Sequence, residues 1–118
     1  MIQIYGIPNC GSVKKALTWM DNAGIAYTFH NFKKEGLDAA LLDQWLASPI
    51  GGQLLNKQGL MWKKVPQERR TLVLHDSQAL RALLLETPTI IKRPVIVFET
   101  GDIVVGVNED RWTQLTQA

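Results

Sequence analysis

Apolar and polar positions alternate at the start of the chain and then change to a helical period. Residues 2–5, Ile-Gln-Ile-Tyr, alternate and are rich in β-forming side chains, which predicts a strand. In residues 13–23 apolar side chains recur at helical spacing, which predicts a helix that Gly24 ends. Residues 6–9 are typical of a break before that helix, and Cys10 falls in the break.

Residues 26–32 are again rich in aromatic and β-forming side chains and predict a second strand. Strand, helix and strand within about thirty residues are typical of a βαβ unit with parallel strands. From residue 38 to about residue 86 the pattern is helical, which we interpret as an inserted helical layer. Its two apolar stripes consist of Leu41, Leu42, Trp45 and Leu46, and of Leu80, Leu83 and Leu84.

The β pattern returns near the end of the chain. Residues 94–98 and 103–105 predict two strands joined by a turn at residues 100–102, which together form a hairpin. Asn108 is well placed to cap a last helix that carries Trp112. The predicted order is β-α-β, then helices, then β-β-α, and the predicted fold class is α/β.

Composition and charge narrow the possible functions. The chain has 118 residues, of which 46% are apolar, and this is enough for one compact domain. Its 13 basic and 11 acidic residues give a net charge of +2, and the basic residues are scattered in pairs, so we expect no direct nucleic-acid binding. The sequence has no signal-peptide pattern, no run of membrane-spanning length and a single cysteine, which cannot form an internal disulfide. We therefore expect a cytoplasmic protein that does not bind membranes.

Cys10 is the residue from which we expect chemistry. The thiolate is the nucleophilic form of cysteine, and the unpaired N–H groups and positive dipole end at a helix N-terminus lower its pKa. Lys14, about one helical turn further on, adds to this effect if its ammonium points towards the sulfur. A lone cysteine is more often a small buried apolar residue, but the strand-to-helix break favours a reactive one.

Three segments of the chain form a pattern larger than any single motif. They are Pro8-Asn9-Cys10-Gly11 opening a helix with Lys14-Lys15-Ala16, then Ile91-Lys92-Arg93-Pro94 before a strand, and finally Gly106-Val107-Asn108-Glu109-Asp110. Together they resemble the arsenate-reductase/Spx family from the first strand to the last helix, with the YffB-type thiol reductases as the most similar branch. The resemblance implies one domain over residues 1–118. Its thioredoxin-like core would comprise residues 1–34 and 88–118, approximately, with a helical insertion at about 35–87.

The resemblance also assigns residues to a site. Pro94 would be the cis-proline that thioredoxin folds place beside the active cysteine, and Arg93 would then face Cys10. From the residues alone, Pro94 fixes the start of a strand and holds Arg93 extended, but its own isomer stays open. A guanidinium beside the sulfur would stabilise the thiolate, whereas the alternative is a solvated arginine at a strand edge. The predicted catalytic residues are Cys10 and Arg93, and the predicted substrate-binding residues are Asn9, Gly11, Ser12, Lys14, Lys57 and Pro94.

The number and spacing of cysteines decide between redox mechanisms. A C-x-x-C oxidoreductase needs a resolving thiol three residues after the first cysteine, and here that position is Val13. We therefore expect an external thiol, glutathione or a glutaredoxin-type partner, to resolve any adduct of Cys10. A two-cysteine switch of the Spx type is excluded within one chain. We expect no metal, because His30 and His75 lack a grouping at metal-ligand spacing. We also expect no bound cofactor, with glutathione as the co-substrate.

Arsenate reduction matches the sequence less well than thiol reduction. By the resemblance, the family enzyme surrounds its cysteine with three arginines, and Arg93 is the one clearly retained here. Gln58 stands where the second is expected, with Lys57 beside it, and the third is lost near Gly106, with Arg111 displaced. A tetrahedral oxyanion would then lack compensating charge. We predict a thiol reductase that is similar to arsenate reductases but does not use arsenate.

The alternative interpretation is a regulator without catalytic activity. By the resemblance, Spx proteins bind RNA polymerase through a surface that includes a glycine in the early helical insertion, and Gly51-Gly52 lies near that place. A flexible turn between helices is the more common role of a Gly-Gly pair. RNA polymerase is the partner expected under this alternative.

Overall fold

Four strands form one mixed sheet in the computed structural model, which describes residues 1–117. The strands are β1 (Ile2–Gly6), β2 (Tyr27–Asn31), β3 (Val95–Val97) and β4 (Ile103–Val105). Their spatial order is β2-β1-β3-β4, in which β1 is parallel to β2 and antiparallel to β3, and β3 is antiparallel to β4. The predicted parallel βαβ unit and the predicted hairpin are therefore both confirmed.

One face of this sheet is covered by two helices. Helix α1 (Gly11–Asn22) connects β1 to β2, and helix α7 (Glu109–Thr116) follows β4. Ile2 and Ile4, which alternate along β1, are buried in the same cluster as the fully buried Trp112 of α7. Burying one large apolar side chain contributes about 1.5–3 kcal/mol, so this cluster holds both helices on the sheet.

The predicted start of α7 and the predicted end of α1 are both confirmed. The Asn108 side-chain oxygen accepts a hydrogen bond from the backbone N–H of Arg111 at 3.1 Å, which caps the start of α7. Helix α1 ends at Asn22, and Gly24 follows with a φ of 68°, in the left-handed region that glycine adopts at low cost.

The end of the second strand differs from the prediction. β2 ends at Asn31, and Phe32 begins a short helix, α2 (Phe32–Glu35), instead of extending the strand. The side-chain oxygen of Asn31 accepts a hydrogen bond from the Lys34 N–H at 3.2 Å, and the Glu35 carboxylate accepts one from the Asn31 N–H at 3.0 Å. This reciprocal pair satisfies N–H groups at a helix start and turns the chain out of the strand.

The middle of the chain is helical, as predicted. Its helices are α3 (Ala39–Ala47), α4 (Leu60–Lys64), α5 (Gln67–His75) and α6 (Ser77–Glu86), with short 3₁₀ turns at Gly51–Gln53 and Pro88–Ile90. Each predicted apolar stripe is buried at its centre, at Leu42 and Trp45 in α3 and at Leu83 and Leu84 in α6. The other leucines of the two stripes are partly exposed.

The chain divides into two compact units. The first consists of Met1–Glu35 and the residues from Arg93 onward, and the second of Gly36–Lys92. The first unit has the β-α-β and β-β-α elements of the thioredoxin-like fold that the resemblance implied. That the whole chain forms one domain stays a prediction, and Ala118, which it includes, lies outside the described residues. Within residues 1–117, no helix has the length and apolar character needed to cross a membrane.

Candidate functional site

Cys10 is the N-cap residue of α1. Its backbone is extended, with φ −109° and ψ 126°, while its carbonyl oxygen already accepts the first helical hydrogen bond from the Lys14 N–H at 2.9 Å. The chain leaves β1 at Gly6 and crosses three residues before this point. A side chain at an N-cap lies beside the N–H groups of the first helical turn, which have no partner within the helix.

Three groups stabilise the thiolate of Cys10, although the side chain accepts no cap hydrogen bond from α1. They are the backbone N–H groups of Val13 and Ser12, from the first turn of α1, and the guanidinium of Arg93, from the segment before β3. Burial raises the pKa of the Cys10 thiol and is the largest single effect. The Val13 N–H, the Arg93 hydrogen bond, the Ser12 N–H and the Arg93 charge together outweigh it, so the pKa lies below its ordinary value.

The lowered pKa has a direct chemical meaning. A larger fraction of Cys10 is thiolate at neutral pH than in an unperturbed cysteine, and the thiolate is the form that attacks disulfides and other electrophiles. The residue is also partly exposed, so a reacting molecule has access to the sulfur. Both properties are typical of reactive cysteines and not of buried structural ones.

Arg93 and Pro94 lie next to each other in the same unit as Cys10. The peptide bond between them is cis, which settles the isomer that the sequence left open. Pro94 is buried, and its carbonyl oxygen accepts a hydrogen bond from the Gly106 N–H at 2.8 Å. This bond ties the segment before β3 to the residue that follows β4. The Arg93 side chain is partly buried and interacts with the sulfur, as the resemblance implied.

The other predicted residues of the first unit lie along the start of α1. Asn9 precedes Cys10 and is exposed, and Gly11 and Ser12 follow it and are exposed as well. Lys14 is exposed and lines a shallow groove of about 420 Å³ along α1. The groove is formed by Gly11, Lys14, Lys15, Thr18, Trp19, Asn22 and Glu109. The contribution of Lys14 to the thiolate stays a prediction.

Lys57 belongs to the second unit. It is exposed in a turn where the Asn56 side-chain oxygen accepts a hydrogen bond from the Gln58 N–H at 3.1 Å. Asn56 is held in turn by its own N–H, which donates to the carbonyl of Ile90 at 3.0 Å. The local fold thus fixes the backbone beside Lys57, and its role in substrate binding stays a prediction.

Arg111, the displaced arginine, is engaged within the first unit. Its guanidinium lies 3.5 Å from the Asp102 carboxylate and donates to the Gln114 side-chain oxygen at 3.2 Å. A cation paired with a carboxylate in this way has less charge to offer an added anion.

The two histidines were expected to play no part in metal binding. The ring of His30 stacks on Tyr5 with centroids 4.5 Å apart, and its Nε2 lies 2.5 Å from the side-chain oxygen of Gln3. In the part of the chain that the structure describes, no three His, Cys, Asp or Glu side chains are grouped so as to hold a metal ion.

Val13 belongs to the site although the sequence pattern predicts it only as a core residue and as the position where a second cysteine is lacking. Its side chain is fully buried. Its backbone N–H nevertheless lowers the pKa of Cys10. The available signal was its position, since the second and third residues after an N-cap present free N–H groups to the cap side chain.

Comparison with known proteins gives a consistent result. The model of the ArsC family matches residues 5–115. A solved structure described as YFFB protein superposes with a TM-score of 0.89 at 32% identity and covers 98% of both chains. An arsenate reductase (ArsC) related protein from Brucella melitensis superposes with a TM-score of 0.74 at 39% identity, over 99% of this chain and 95% of that one. The global transcriptional regulator Spx of Staphylococcus haemolyticus is 29% identical over 93% of this chain and 82% of its own length.

Proposed function

This chain belongs to the ArsC family, and on that basis we propose that it is a thiol reductase that depends on glutathione or a glutaredoxin-type protein and works through one cysteine thiolate. The observation that carries the proposal is the convergence of the Ser12 and Val13 N–H groups and the Arg93 guanidinium on Cys10. Similarity to an arsenate reductase related protein supports a reductase of this general kind.

The proposed reaction begins with attack of the Cys10 thiolate on one sulfur of a substrate disulfide. A bond forms between Cys10 and that sulfur, the substrate disulfide breaks, and the second substrate thiolate leaves and takes a proton from solvent. Glutathione thiolate then attacks the substrate sulfur of the mixed disulfide and releases Cys10 as thiolate. A second glutathione displaces the remaining substrate thiol. One substrate disulfide is reduced to two thiols, and two glutathione molecules are oxidised to one disulfide.

Arg93 has two functions in this scheme. Its guanidinium stabilises the Cys10 thiolate before attack and again when Cys10 becomes the leaving group of the second step. A better leaving thiolate departs faster, so the same charge assists both halves of the cycle. Pro94, buried and fixed by its bond from Gly106, would orient the backbone along which the bound thiol lies.

Arsenate is excluded from the proposed substrates. A tetrahedral oxyanion needs several fixed donors, and Arg93 is the arginine that acts at the sulfur. Arg111 is paired with Asp102, and Gln58 carries no charge. We expect arsenate to show no glutathione-dependent reduction above the background of the Cys10→Ser variant, and measurable arsenite release by the wild type would contradict this.

The proposed function is tested by turnover of a mixed disulfide of glutathione and a small thiol, coupled to NADPH through glutathione reductase. We expect turnover by the wild type and none above background by Cys10→Ser. Intact-mass analysis after incubation with oxidised glutathione should add one glutathionyl group to the wild type and none to Cys10→Ser. An unmodified wild type without turnover would refute the proposal.

The similarity to Spx favours a second candidate function, a regulator that binds RNA polymerase. Gly52 is exposed, and a Cβ atom added there would meet no atom within 4 Å, so the position is open to a partner. Retention on immobilised RNA polymerase that survives Cys10→Ser and is lost in Gly52→Arg would support the regulator. Absence of retention, together with turnover that needs Cys10, would exclude it in favour of the reductase.

A further inference from the structure

We propose that Gly6 is a positioning residue for the thiol: because it has no side chain, it leaves the space in which Val13 packs, and this packing fixes the first turn of α1 against the end of β1. The inference rests on the proposed function in that it assigns a further residue to the same reactive cysteine. The inference concerns the positions of the backbone N–H groups near the Cys10 sulfur, whereas the proposed function concerns the molecule with which that sulfur reacts.

The geometry at Gly6 leaves no room for a larger residue. A Cβ atom added there would lie 2.6 Å from Cγ2 of Val13, 3.5 Å from Cγ1 and 3.6 Å from Cβ. Carbon atoms pack best at about 3.5–4.0 Å, so the first of these contacts has to be relieved by movement. Val13 is fully buried, and its branched side chain has few alternative rotamers. The movement therefore falls on the backbone of Val13.

The requirement for glycine at this position is spatial and not conformational. Gly6 is the last residue of β1 and pairs with Asn31 of β2 in the parallel ladder. The glycines with positive φ are Gly24, Gly36, Gly101 and Gly106, and Gly6 is not one of them. Any residue can adopt a strand conformation, so what glycine provides here is the absence of Cβ.

Val13 connects this packing to the chemistry. Its side chain packs beside Gly6, whereas its backbone N–H belongs to the helical turn that follows the N-cap Cys10 and lowers the pKa of that thiol. Ser12 belongs to the same helical turn and moves with it. Arg93, the charged group that faces the sulfur, comes from the segment before β3, outside α1. A displacement of Val13 should therefore weaken the helical donors and leave the guanidinium in place.

The test is the pH dependence of Cys10 alkylation by iodoacetamide in four variants. In Gly6→Ala we expect the rate at pH 6 to fall about tenfold, since a rise of about one unit in the pKa of the thiol lowers the thiolate fraction by that factor. Val13→Ala removes both Cγ atoms and is the reference for the double variant Gly6→Ala/Val13→Ala. The double variant should react within about twofold of Val13→Ala, because the nearest remaining side-chain contact, at 3.6 Å, is ordinary packing.

Gly51→Ala is the matched control. A Cβ atom there would clash with the backbone carbonyl of Leu46, so the variant should lower the melting temperature, but it lies in the second unit. We expect its Cys10 alkylation profile to equal that of the wild type. If Gly6→Ala also keeps the wild-type profile while its melting temperature falls, Gly6 is a purely structural residue and the proposal is wrong.

Two outcomes remain decisive if Gly6→Ala alone does not fold. A folded double variant with the alkylation profile of Val13→Ala supports the proposal. A folded double variant that reacts about tenfold more slowly than Val13→Ala at pH 6 overturns it. Alkylation requires neither substrate nor glutathione, so a reactive thiol without turnover would refute the proposed function and leave the role of Gly6 unaffected.

Discussion

At the scale of single residues, the sulfur of Cys10 is controlled by two independent parts of the chain. The first turn of α1 supplies uncharged N–H donors, and Arg93 supplies both a hydrogen bond and a charge. Burial acts in the opposite direction on the thiol pKa. The pKa of the Cys10 thiol depends on the balance between burial and these stabilising groups. The contribution of a group can therefore be tested by removing it and measuring the titration of the thiol.

Replacing Arg93 by alanine should raise the pKa of Cys10, because the change removes a hydrogen bond and a positive charge while burial of the sulfur remains. We expect alkylation at pH 6 to slow by about tenfold or more, with Arg93→Lys intermediate since it keeps the charge without the fork of donors. The measurement is the rate of alkylation against pH. Arg111→Ala, an arginine paired with Asp102, is the control and should titrate like the wild type. Equal profiles for Arg93→Ala and the wild type would exclude the assigned role.

How far the site could be predicted differs from residue to residue. Cys10 and Arg93 were accessible from sequence, because residue type and a strand-to-helix break already suggest an activated thiol, and the resemblance placed the arginine. The donors Ser12 and Val13 act through backbone atoms, which side-chain identity does not reveal. The contact between Gly6 and Val13 depends on how closely a helix approaches a strand, and no local pattern encodes that distance.

At the scale of elements, α7 depends on its cap. Asn108→Ala removes the acceptor for the Arg111 N–H and should lower the free energy of unfolding by about 1 kcal/mol, whereas Asn108→Ser, which retains an acceptor, should lose only a fraction of this. Denaturant unfolding of the three proteins measures the difference. The Cys10 alkylation profile should stay unchanged in both variants. Equal losses for alanine and serine would show that the hydrogen bond is not the stabilising feature.

Element boundaries were predictable where a residue has one dominant role. Gly24 and Asn108 end and begin helices because their backbone or side chain satisfies the helix terminus. The change from β2 to α2 was missed because Phe32 suits a strand as well as a helix. The hydrogen bonds between Asn31, Lys34 and Glu35 end the strand and begin the helix. These polar contacts outweigh the apolar pattern that predicts a longer strand.

At the scale of the whole molecule, the state of Cys10 is linked to stability. Its pKa is lower in the folded protein than in the unfolded chain, where it is about 8.5, so ionisation favours folding. The stabilisation is fully present above pH 8.5, approximately, and is lost as pH falls through the folded pKa. The difference in unfolding free energy between the wild type and Cys10→Ser should therefore rise with pH through this window.

Denaturant titrations in the presence of a reductant at several pH values measure this linkage. Arg93→Ala offers a check, since the difference between Arg93→Ala and the double variant Arg93→Ala/Cys10→Ser should depend less on pH. A wild-type difference that is flat between pH 6 and pH 9, roughly the span set by the unperturbed cysteine value, would show that the thiol is not perturbed by folding.

Val13 stands where a resolving cysteine would be, and the chain holds one sulfur of that kind. Once Cys10 is joined to another thiol, regeneration requires a collision with a second molecule, so its rate is first order in the concentration of that molecule. The lifetime of the oxidised protein then lengthens in proportion as the pool of reduced donor is depleted. The fraction of the protein that is oxidised therefore depends on the concentration of reduced thiol around it.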